Sequence, residues 1–332
     1  MTTPAETLVI DAATVRRLLP MDRCIDVMHE ALSTLARGDA VNPLRSILGL
    51  PLEGTALALM PGAIKDPPAF GVKVISLYPH NREVGLETHQ GVVLLFEAEH
   101  GQPVALVDAS EVTALRTAAV SGAATRALAR AEADDLAIIG SGTQARTHLD
   151  AMLAVRPVGR VRAWSPNRER LEAFVSAARG RTGLMVEAAA DPRSAVDGAS
   201  LVCTVSGARE PVIRGEWLAP GCHVNAVGSA LPTARELDGA AVQRSRLFVD
   251  RRESALNEAG DIMLAMREGA IGEDHILAEL GEVLIGKAPG RVSPQDVTLF
   301  KSLGLAIEDV ATAHAVMLAA RQAGAGTPIG LA

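Results

Sequence analysis

A short apolar run that leads directly into a glycine-rich turn constrains the fold of this chain most. Leu136–Ile139 has the pattern of a buried strand, and the next six residues, GSGTQA, precede a helical pattern. Gly140 permits a tight turn, Gly142 lets the backbone approach a pyrophosphate, and Ala145 keeps helix and strand close. The helix N-terminus adds unpaired N–H groups and a positive dipole end. The predicted dinucleotide contacts are Gly140, Gly142, Thr143 and Gln144. By itself, this turn fits any α/β protein equally well.

Strands and helical patterns alternate from this turn onward. The predicted strands are Leu136–Ile139, Val161–Trp164, Leu184–Glu187, Leu201–Val205, His223–Val227 and Leu247–Val249. Helical segments such as Thr143–Val155 and Arg168–Arg179 separate the first of them. Short apolar strands that alternate with helices are typical of a doubly wound parallel sheet. With this pattern around it, the turn indicates a Rossmann-type domain that binds a dinucleotide.

The end of the second predicted strand bears on which dinucleotide is bound. Binders of the unphosphorylated cofactor usually have Asp or Glu here, which holds the ribose 2′-hydroxyl. This chain has Ser165, with Asn167 and Arg168 just beyond. A missing carboxylate removes repulsion toward a 2′-phosphate, and Arg168 can pair with one. We therefore favour NADP(H), with NAD(H) as the alternative. In the plainer interpretation, Arg168 only begins a solvated helix.

The chain before the turn has a different pattern. Apolar residues at helical spacing predict a helix over Val15–Arg37 that Gly38 ends. Runs rich in β-formers follow at Thr55–Met60, Phe70–Tyr78, Gly91–Glu97 and Val104–Asp108. Their short links favour an antiparallel or mixed sheet. A helix that begins at the capping-box-like Asp108–Glu111 joins this region to the Rossmann domain, and a last helix, about Pro294–Ala323, returns to it.

Composition and charge limit the partners of the chain. Aromatic residues make up only 2%, so few side chains can stack on bases, and the formal charge of −7 repels polynucleotides and anionic membranes. No apolar stretch reaches the ~18 residues that span a bilayer. Three cysteines without C-x-x-C spacing, and eight histidines without metal-ligand spacing, predict a reducing compartment and no metal site. Because the first residues also lack signal-peptide features, we expect a cytoplasmic protein.

Several segments, in their order and spacing, resemble the ornithine cyclodeaminase/mu-crystallin family. They are Gly71–Val74, Gly85–Gly91, Thr113–Val120, Gly140–Ala145, Glu279–Val283 and Phe300–Gly304. The resemblance, which covers nearly the whole chain, implies a homodimer whose non-Rossmann domain serves both dimer contact and substrate binding. We therefore predict an α/β fold, with a substrate and dimerisation α+β domain over residues 1–115 and 315–332 and a Rossmann domain over residues 116–314.

The resemblance also implies roles for individual residues. Arg45, Lys73 and Arg116 match the cationic set that holds a substrate carboxylate, and Lys73 is the best available proton donor. Further implied cofactor contacts are Thr88, His89, Arg116, Thr204, Ser206, Val227, Gly228 and Ser302. The residues alone also allow plainer interpretations: Lys73 at a sheet edge, Arg116 paired with Glu111 or Asp108, and Arg45 exposed in a loop.

Two positions depart from the cyclodeaminase pattern. Ala230 stands where cyclodeaminases and family alanine dehydrogenases have Asp, and Ala58 where cyclodeaminases have Glu. Oxidation of an amine needs a base to take its proton, and neither alanine supplies one. Reduction of a cyclic ketimine chiefly needs the carboxylate held and the imine carbon aligned with nicotinamide C4.

We therefore predict an NAD(P)H-dependent reductase of Δ1-pyrroline-2-carboxylate or Δ1-piperideine-2-carboxylate, or of an imine formed from a 2-oxo acid. One alternative is an ornithine cyclodeaminase or amino acid dehydrogenase, the former of which would release ammonia from ornithine. The other is a non-catalytic nicotinamide-binding protein of mu-crystallin type, which would bind cofactor tightly without turnover.

Overall fold

The computed structural model describes residues 6–330, and of residues 82 and 83 it describes only the backbone. The chain forms two compact units: unit 1 comprises the chain up to Arg116 and from Gly304 onward, and unit 2 is Thr117–Leu303. The chain returns to unit 1 at Gly304, earlier than the predicted boundary at residue 314, because the whole of the final helix belongs to unit 1. Among the described residues, no helix is both long and apolar enough to cross a bilayer.

The strands of both units are numbered in chain order. They are β1 (Thr7–Ile10), β2 (Ala40–Val41), β3 (Ser46–Gly49), β4 (Ala56–Ile64), β5 (Ala69–Leu77), β6 (His89–Phe96), β7 (Pro103–Asp108), β8 (Asp135–Ile139), β9 (Arg160–Trp164), β10 (Met185–Ala188), β11 (Leu201–Thr204), β12 (His223–Ala226), β13 (Arg246–Val249), β14 (Ile276–Glu279), β15 (Thr298–Lys301) and β16 (Thr327–Ile329). All of the strands that we predicted are present within a few residues of their expected bounds, and residues 6–330 contain six further strands that were not predicted.

The α-helices are numbered in the same way. They are α1 (Ala12–Leu18), α2 (Met21–Arg37), α3 (Ala109–Leu128), α4 (Thr143–Val155), α5 (Arg168–Thr182), α6 (Pro192–Val196), α7 (Gly239–Gln243), α8 (Arg252–Glu258), α9 (Gly260–Arg267), α10 (Leu280–Leu284) and α11 (Ala306–Ala323). The single helix predicted over Val15–Arg37 was wrong: Pro20 separates α1 from α2, because proline has no N–H to continue the first helix. Gly38 ends α2 in the left-handed conformation, as expected.

Unit 1 has a mixed sheet in the order β16-β1-β7-β6-β5-β4-β2, and β3 also pairs with β4. Only the β1–β7 pair is parallel among the described pairs of this sheet. Helix α11 packs against β4 and β5. It comes close because Gly62 has no side chain, and a Cβ there would lie 3.1 Å from the Ala306 backbone. This close packing puts the start of α11 directly on the sheet.

Unit 2 has a second sheet in the order β10-β9-β8-β11-β12-β15-β13-β14. All of its described strand pairs are parallel, so the predicted doubly wound Rossmann-type sheet is confirmed. The helix predicted to begin at about Pro294 was wrong, because Thr298–Lys301 forms β15 in the interior of this sheet. All four of its residues are buried, so the strand lacks the alternation that would have identified it.

Candidate active site

Lys73 lies in the middle of β5, between β4 and β6, with its side chain on the buried face of the sheet. Its exposed fraction is only 1%. The ammonium Nζ lies 2.7 Å from Asp309 Oδ2 and donates to the Thr113 hydroxyl at 3.4 Å. The interpretation of Lys73 as a sheet-edge lysine was therefore wrong, and a buried carboxylate compensates part of the cost of burying its charge.

Arg116 lies on α3 and is also buried. Its Nε donates to Asp309 Oδ1 at 3.0 Å, and its Nη1 donates to Glu308 Oε2 at 2.8 Å. The plainer interpretation was an ion pair with Glu111 or Asp108, but Arg116 pairs with two carboxylates of α11, while Glu111 pairs with Arg16 and Asp108 accepts the Glu111 N–H. The cations on β5 and α3 thus share one carboxylate of α11.

Arg45, in the segment between β2 and β3, is half-buried rather than fully exposed. Its Nη2 donates to the carbonyl oxygen of Gly304 at 3.0 Å. Gly304 lies just before α11 and has a φ of +82°. The three cations predicted for the substrate therefore gather around the beginning of α11, within unit 1.

The surroundings of Lys73 change its acidity. Burial lowers the pKa of the Lys73 ammonium to about 8, the neighbouring Asp309 carboxylate opposes this, and the positive charges of Arg116 and Arg45 lower it further. A lysine with a pKa near 8 can donate a proton and recover it close to neutral pH. The geometry thus gives Lys73 the acidity of a general acid.

Glu308 and Asp309, which hold these cations, were missed in the sequence. Both side chains are fully buried at the beginning of α11. Two adjacent acids in the otherwise apolar run AIEDVA were the available signal, because buried carboxylates need cationic partners. Their location in the first helical turn adds a favourable interaction with the helix dipole.

The turn between β8 and α4 has the geometry that a pyrophosphate requires. Gly140 has a φ of +143°, and a Cβ there would lie 2.8 Å from the Val205 carbonyl oxygen. A Cβ on Gly142 would meet no atom within 4 Å, so the space in front of the helix is open. Gly142 is the N-cap of α4 and offers no side chain, which leaves the N–H groups of Thr143 and Gln144 available to a phosphate. These residues fit a dinucleotide.

Glu236, which was not predicted, joins the loops that follow β11 and β12. Its carboxylate accepts hydrogen bonds from the Thr204 hydroxyl at 2.7 Å, from the Ser206 N–H and hydroxyl at 2.7 Å each, and from the Gly228 N–H at 2.8 Å. The Val227 N–H bonds to the Thr204 carbonyl at 2.9 Å. The structure therefore brings these four predicted cofactor residues together, but the two hydroxyls donate to Glu236.

Two further buried charged residues, Asp261 and Lys301, lie next to Glu236. Asp261 Oδ1 accepts from the Glu236 N–H at 2.8 Å, and its Oδ2 lies 2.9 Å from Lys301 Nζ. Burial raises the pKa of Glu236, the Asp261 carboxylate adds to this, and Lys301 opposes it. Next to Lys301, the Ser302 hydroxyl is buried and has no hydrogen-bond partner among the described residues, as suits a group that awaits a ligand.

The end of β9 holds the residues predicted to choose between the two cofactors. The Ser165 hydroxyl accepts from Ser141 at 3.0 Å. Asn167 caps α5 by accepting the Arg170 N–H at 2.8 Å. Arg168 is the first residue of α5, is exposed, and pairs with Glu172 one turn later. Arg168 thus begins a solvent-exposed helix, as the plainer interpretation of the sequence predicted.

Thr88 and His89 belong to unit 1, at the beginning of β6. The Thr88 hydroxyl lies 2.9 Å from His89 Nδ1, and the Ser110 hydroxyl donates to the His89 carbonyl at 2.7 Å. His89 is exposed and Thr88 half-buried, so ligands can reach them. Within residues 6–330, no group of three or more His, Cys, Asp or Glu side chains is arranged to hold a metal ion.

Comparison with known proteins identifies the family. A profile of the ornithine cyclodeaminase/mu-crystallin family matches residues 5–323. A Delta(1)-pyrroline-2-carboxylate reductase of Bacillus cereus is 35% identical over 323 residues, or 97% of this chain and 99% of that protein. The solved Delta(1)-pyrroline-2-carboxylate reductase of Thermococcus litoralis, in complex with NADH and L-proline, is 37% identical with a TM-score of 0.95, covering 97% of this chain and 100% of that one.

A solved archaeal alanine dehydrogenase dimer with bound NAD is 33% identical, with a TM-score of 0.93. The match covers 98% of this chain and 100% of that one. The family predicted from the sequence is thus confirmed by both sequence and fold: this chain belongs to the ornithine cyclodeaminase/mu-crystallin family.

Proposed function

We propose that this protein is an NAD(P)H-dependent reductase of cyclic ketimines, which converts Δ1-pyrroline-2-carboxylate or Δ1-piperideine-2-carboxylate to proline or pipecolate. The observation that supports this most is the buried Lys73 ammonium beside the guanidinium groups of Arg116 and Arg45. Such a set binds a small carboxylate and offers one acidic proton. The similarity to Delta(1)-pyrroline-2-carboxylate reductases agrees with this assignment.

Reduction of the imine requires the transfer of one hydride and one proton. A reduced nicotinamide, held by the turn between β8 and α4, would supply the hydride for the imine carbon, and one proton must reach the imine nitrogen. Arg45 and Arg116 would hold the substrate carboxylate, which limits the orientations of the imine. The Lys73 ammonium donates a proton from Nζ to the nitrogen, becomes a neutral amine, and regains a proton from solvent. The C=N bond thus becomes CH–NH.

Two alanines argue against a cyclodeaminase. Ala58 is buried on β4, and Ala230 is exposed in the loop after β12. Neither can accept a proton from a substrate amine or bind a second ammonium group. Ornithine oxidation would need such a group, whereas imine reduction does not.

For the cofactor, we propose NADP(H) in preference to NAD(H). The support is the absence of a carboxylate at Ser165 and the exposed guanidinium of Arg168, which can exchange Glu172 for a 2′-phosphate. Both solved relatives described above contain NAD or NADH, so the preference needs direct measurement. The ratio of kcat/KM values for NADPH and NADH decides it, and a clear preference for NADH contradicts the proposal.

We also propose that the protein is a homodimer in the cytoplasm. The support for the dimer is an apolar row on the sheet of unit 1, where Leu59, Val74 and Val92 are neighbours in register, and Leu59 and Val92 are exposed. The support for the compartment is three cysteines that are all free and buried. Light scattering during size-exclusion chromatography tests the dimer, and a monomeric mass contradicts it.

Reduced-cofactor consumption with both cyclic imines tests the enzymatic proposal, with ornithine and oxidised cofactor as the comparison. We expect turnover of an imine that depends on its carboxylate, and formation of proline or pipecolate. Ammonia release from ornithine would instead indicate a cyclodeaminase. Tight cofactor binding without turnover of any imine would contradict the proposal and favour a ligand-binding protein.

A further inference from the structure

One carboxylate of α11 links two of the cations that the proposed reaction uses. Asp309 places Oδ2 at 2.7 Å from Lys73 Nζ and Oδ1 at 3.0 Å from Arg116 Nε. All three side chains are buried, so the orientation of each depends on the other two. The neighbouring Glu308 contacts Arg116 at 2.8 Å. The ion pair with Lys73 is made by Asp309, the acid that also contacts Arg116 Nε, whereas Glu308 contacts Arg116 Nη1.

We propose that Asp309 is the positioning residue of the proton transfer: its carboxylate joins Lys73 to Arg116, fixes the direction of the Lys73 ammonium, and keeps that ammonium charged for donation. This inference rests on the proposed reductase function. Asp309 takes no proton and touches no substrate in this scheme. It acts through Lys73, whose Nζ–H bond breaks as the N–H bond of the product forms.

The charges around Lys73 explain why a carboxylate is needed there. On β5 its neighbours along the buried face are Gly71 and Ile75, which offer no charge. Helix α3 contributes the Thr113 hydroxyl and the positive charge of Arg116, and the segment before β3 contributes the positive charge of Arg45. Helix α11 contributes the Asp309 carboxylate. Without it, Lys73 would face two like charges in a buried environment, and the pKa of its ammonium would fall further.

Asp309→Asn and Glu308→Gln form a matched pair of variants. Each removes one buried carboxylate from the same helical turn and keeps the shape of the side chain. The test measures kcat and KM for Δ1-pyrroline-2-carboxylate from about pH 6 to about pH 10, with saturating reduced cofactor. Ionisation of the free substrate is the same for all proteins, so differences between profiles report on the enzyme.

We expect kcat of the natural protein to fall as pH rises through the pKa of Lys73, about 8. In Asp309→Asn this alkaline limb should move to lower pH by about 1 to 3 units, because the ammonium has lost its anionic partner. In Glu308→Gln the KM for the imine should rise, with a clearly smaller movement of the limb. An unchanged limb in Asp309→Asn, or equal movement in both variants, would overturn the inference.

One further variant keeps the test decisive if Asp309→Asn does not fold. Asp309→Glu retains the charge but lengthens the side chain, so we expect the alkaline limb of the natural protein with a kcat at least about tenfold lower. An unchanged kcat would show that Asp309 positions nothing. A second measurement is NMR of protein labelled with ¹³C at the lysine Cε atoms. The chain has four lysines and so gives four such signals, and the signal that disappears in Lys73→Met belongs to Lys73.

The NMR titration separates failure of this inference from failure of the proposed function. It needs no substrate, and the Lys73 signal should titrate near 8 in the natural protein and lower in Asp309→Asn. If no imine is turned over but the titrations differ, the reductase proposal fails and the Lys73–Asp309 coupling stands. If imines are reduced and the titrations coincide, the positioning role fails.

Discussion

The Arg116 guanidinium occupies the space that a side chain on Gly304 would need. A Cβ on Gly304 would lie 2.0 Å from Arg116 Nη1, and the φ of +82° at this residue disfavours any side chain. Gly304 also offers its carbonyl oxygen to Arg45. One glycine before α11 therefore sets the position of two of the three cations.

Gly304→Ala should consequently raise the KM for the imino acid and lower the melting temperature. Gly324→Ala is the matched control, because Gly324 has a φ of +60° and a Cβ there would meet nothing within 4 Å. The control should lose only the backbone term of about 1–2 kcal/mol. Steady-state kinetics measures the KM of each variant, and thermal unfolding measures its melting temperature. Equal effects in both variants would mean that contact with Arg116 is unimportant.

Lys73→Met should lower kcat by about 10²- to 10⁴-fold, the usual contribution of a positioned general acid. The cofactor should still bind, since the residues that fit it at the β8–α4 turn are in unit 2. Lys65→Met serves as the control, because Lys65 is an exposed lysine paired with Asp39. Steady-state kinetics measures the loss of kcat, and fluorescence titration with reduced cofactor measures cofactor binding. A kcat close to that of the natural protein would assign proton donation to water.

Glu236→Gln should weaken cofactor binding by about 1–3 kcal/mol, because an amide cannot accept hydrogen bonds at both of its ends. The Thr204, Ser206 and Gly228 donors would then lose part of their shared acceptor. Glu268→Gln removes a half-exposed carboxylate that pairs with Arg235 and is the control. Cofactor dissociation constants measured by fluorescence test this. Equal affinities in the two variants would argue against a role for Glu236 in shaping the loops.

His148 should make unit 2 sensitive to acid. Its Nδ1 lies 2.8 Å from the Gln144 carbonyl, so it carries the proton, and Nε2 accepts from the Ser121 hydroxyl at 3.0 Å. Burial lowers the pKa of His148 from 6.5 to about 4. Between these values the unfolded state binds the extra proton, so stability falls as pH decreases from 6.5, by about 1.4 kcal/mol per unit.

Chemical denaturation at several pH values between about 4 and 7 measures this slope. His148→Gln should be less stable at neutral pH, because it loses buried hydrogen bonds, but its stability should depend less steeply on pH. His223 contributes in the same direction, since burial lowers its pKa to about 3. Identical slopes for the natural protein and His148→Gln would contradict the prediction.

Sequence reasoning succeeded where a pattern describes its own local backbone. The glycines of the β8–α4 turn, the bounds of α4, and the end of α2 at Gly38 were all predicted from neighbouring residues. The strand β15 was not predicted, because its four buried residues TLFK have no alternation of apolar and polar side chains. Burial of Lys301 depends on Asp261, at 2.9 Å, on a separate segment of the chain.

The sequence by itself determined the family and the parallel sheet with its dinucleotide turn, since these follow from short motifs in a given order. It also predicted the three cations as a substrate-binding set, through the family resemblance. Only the tertiary structure decided which anions those cations meet. The pairing of Asp309 with Lys73 and Arg116, and of Glu236 with Thr204, joins segments that are far apart in the chain. Such contacts exist only after the sheets have formed and α11 has packed on β4 and β5, because no local periodicity encodes the partner of a buried charge.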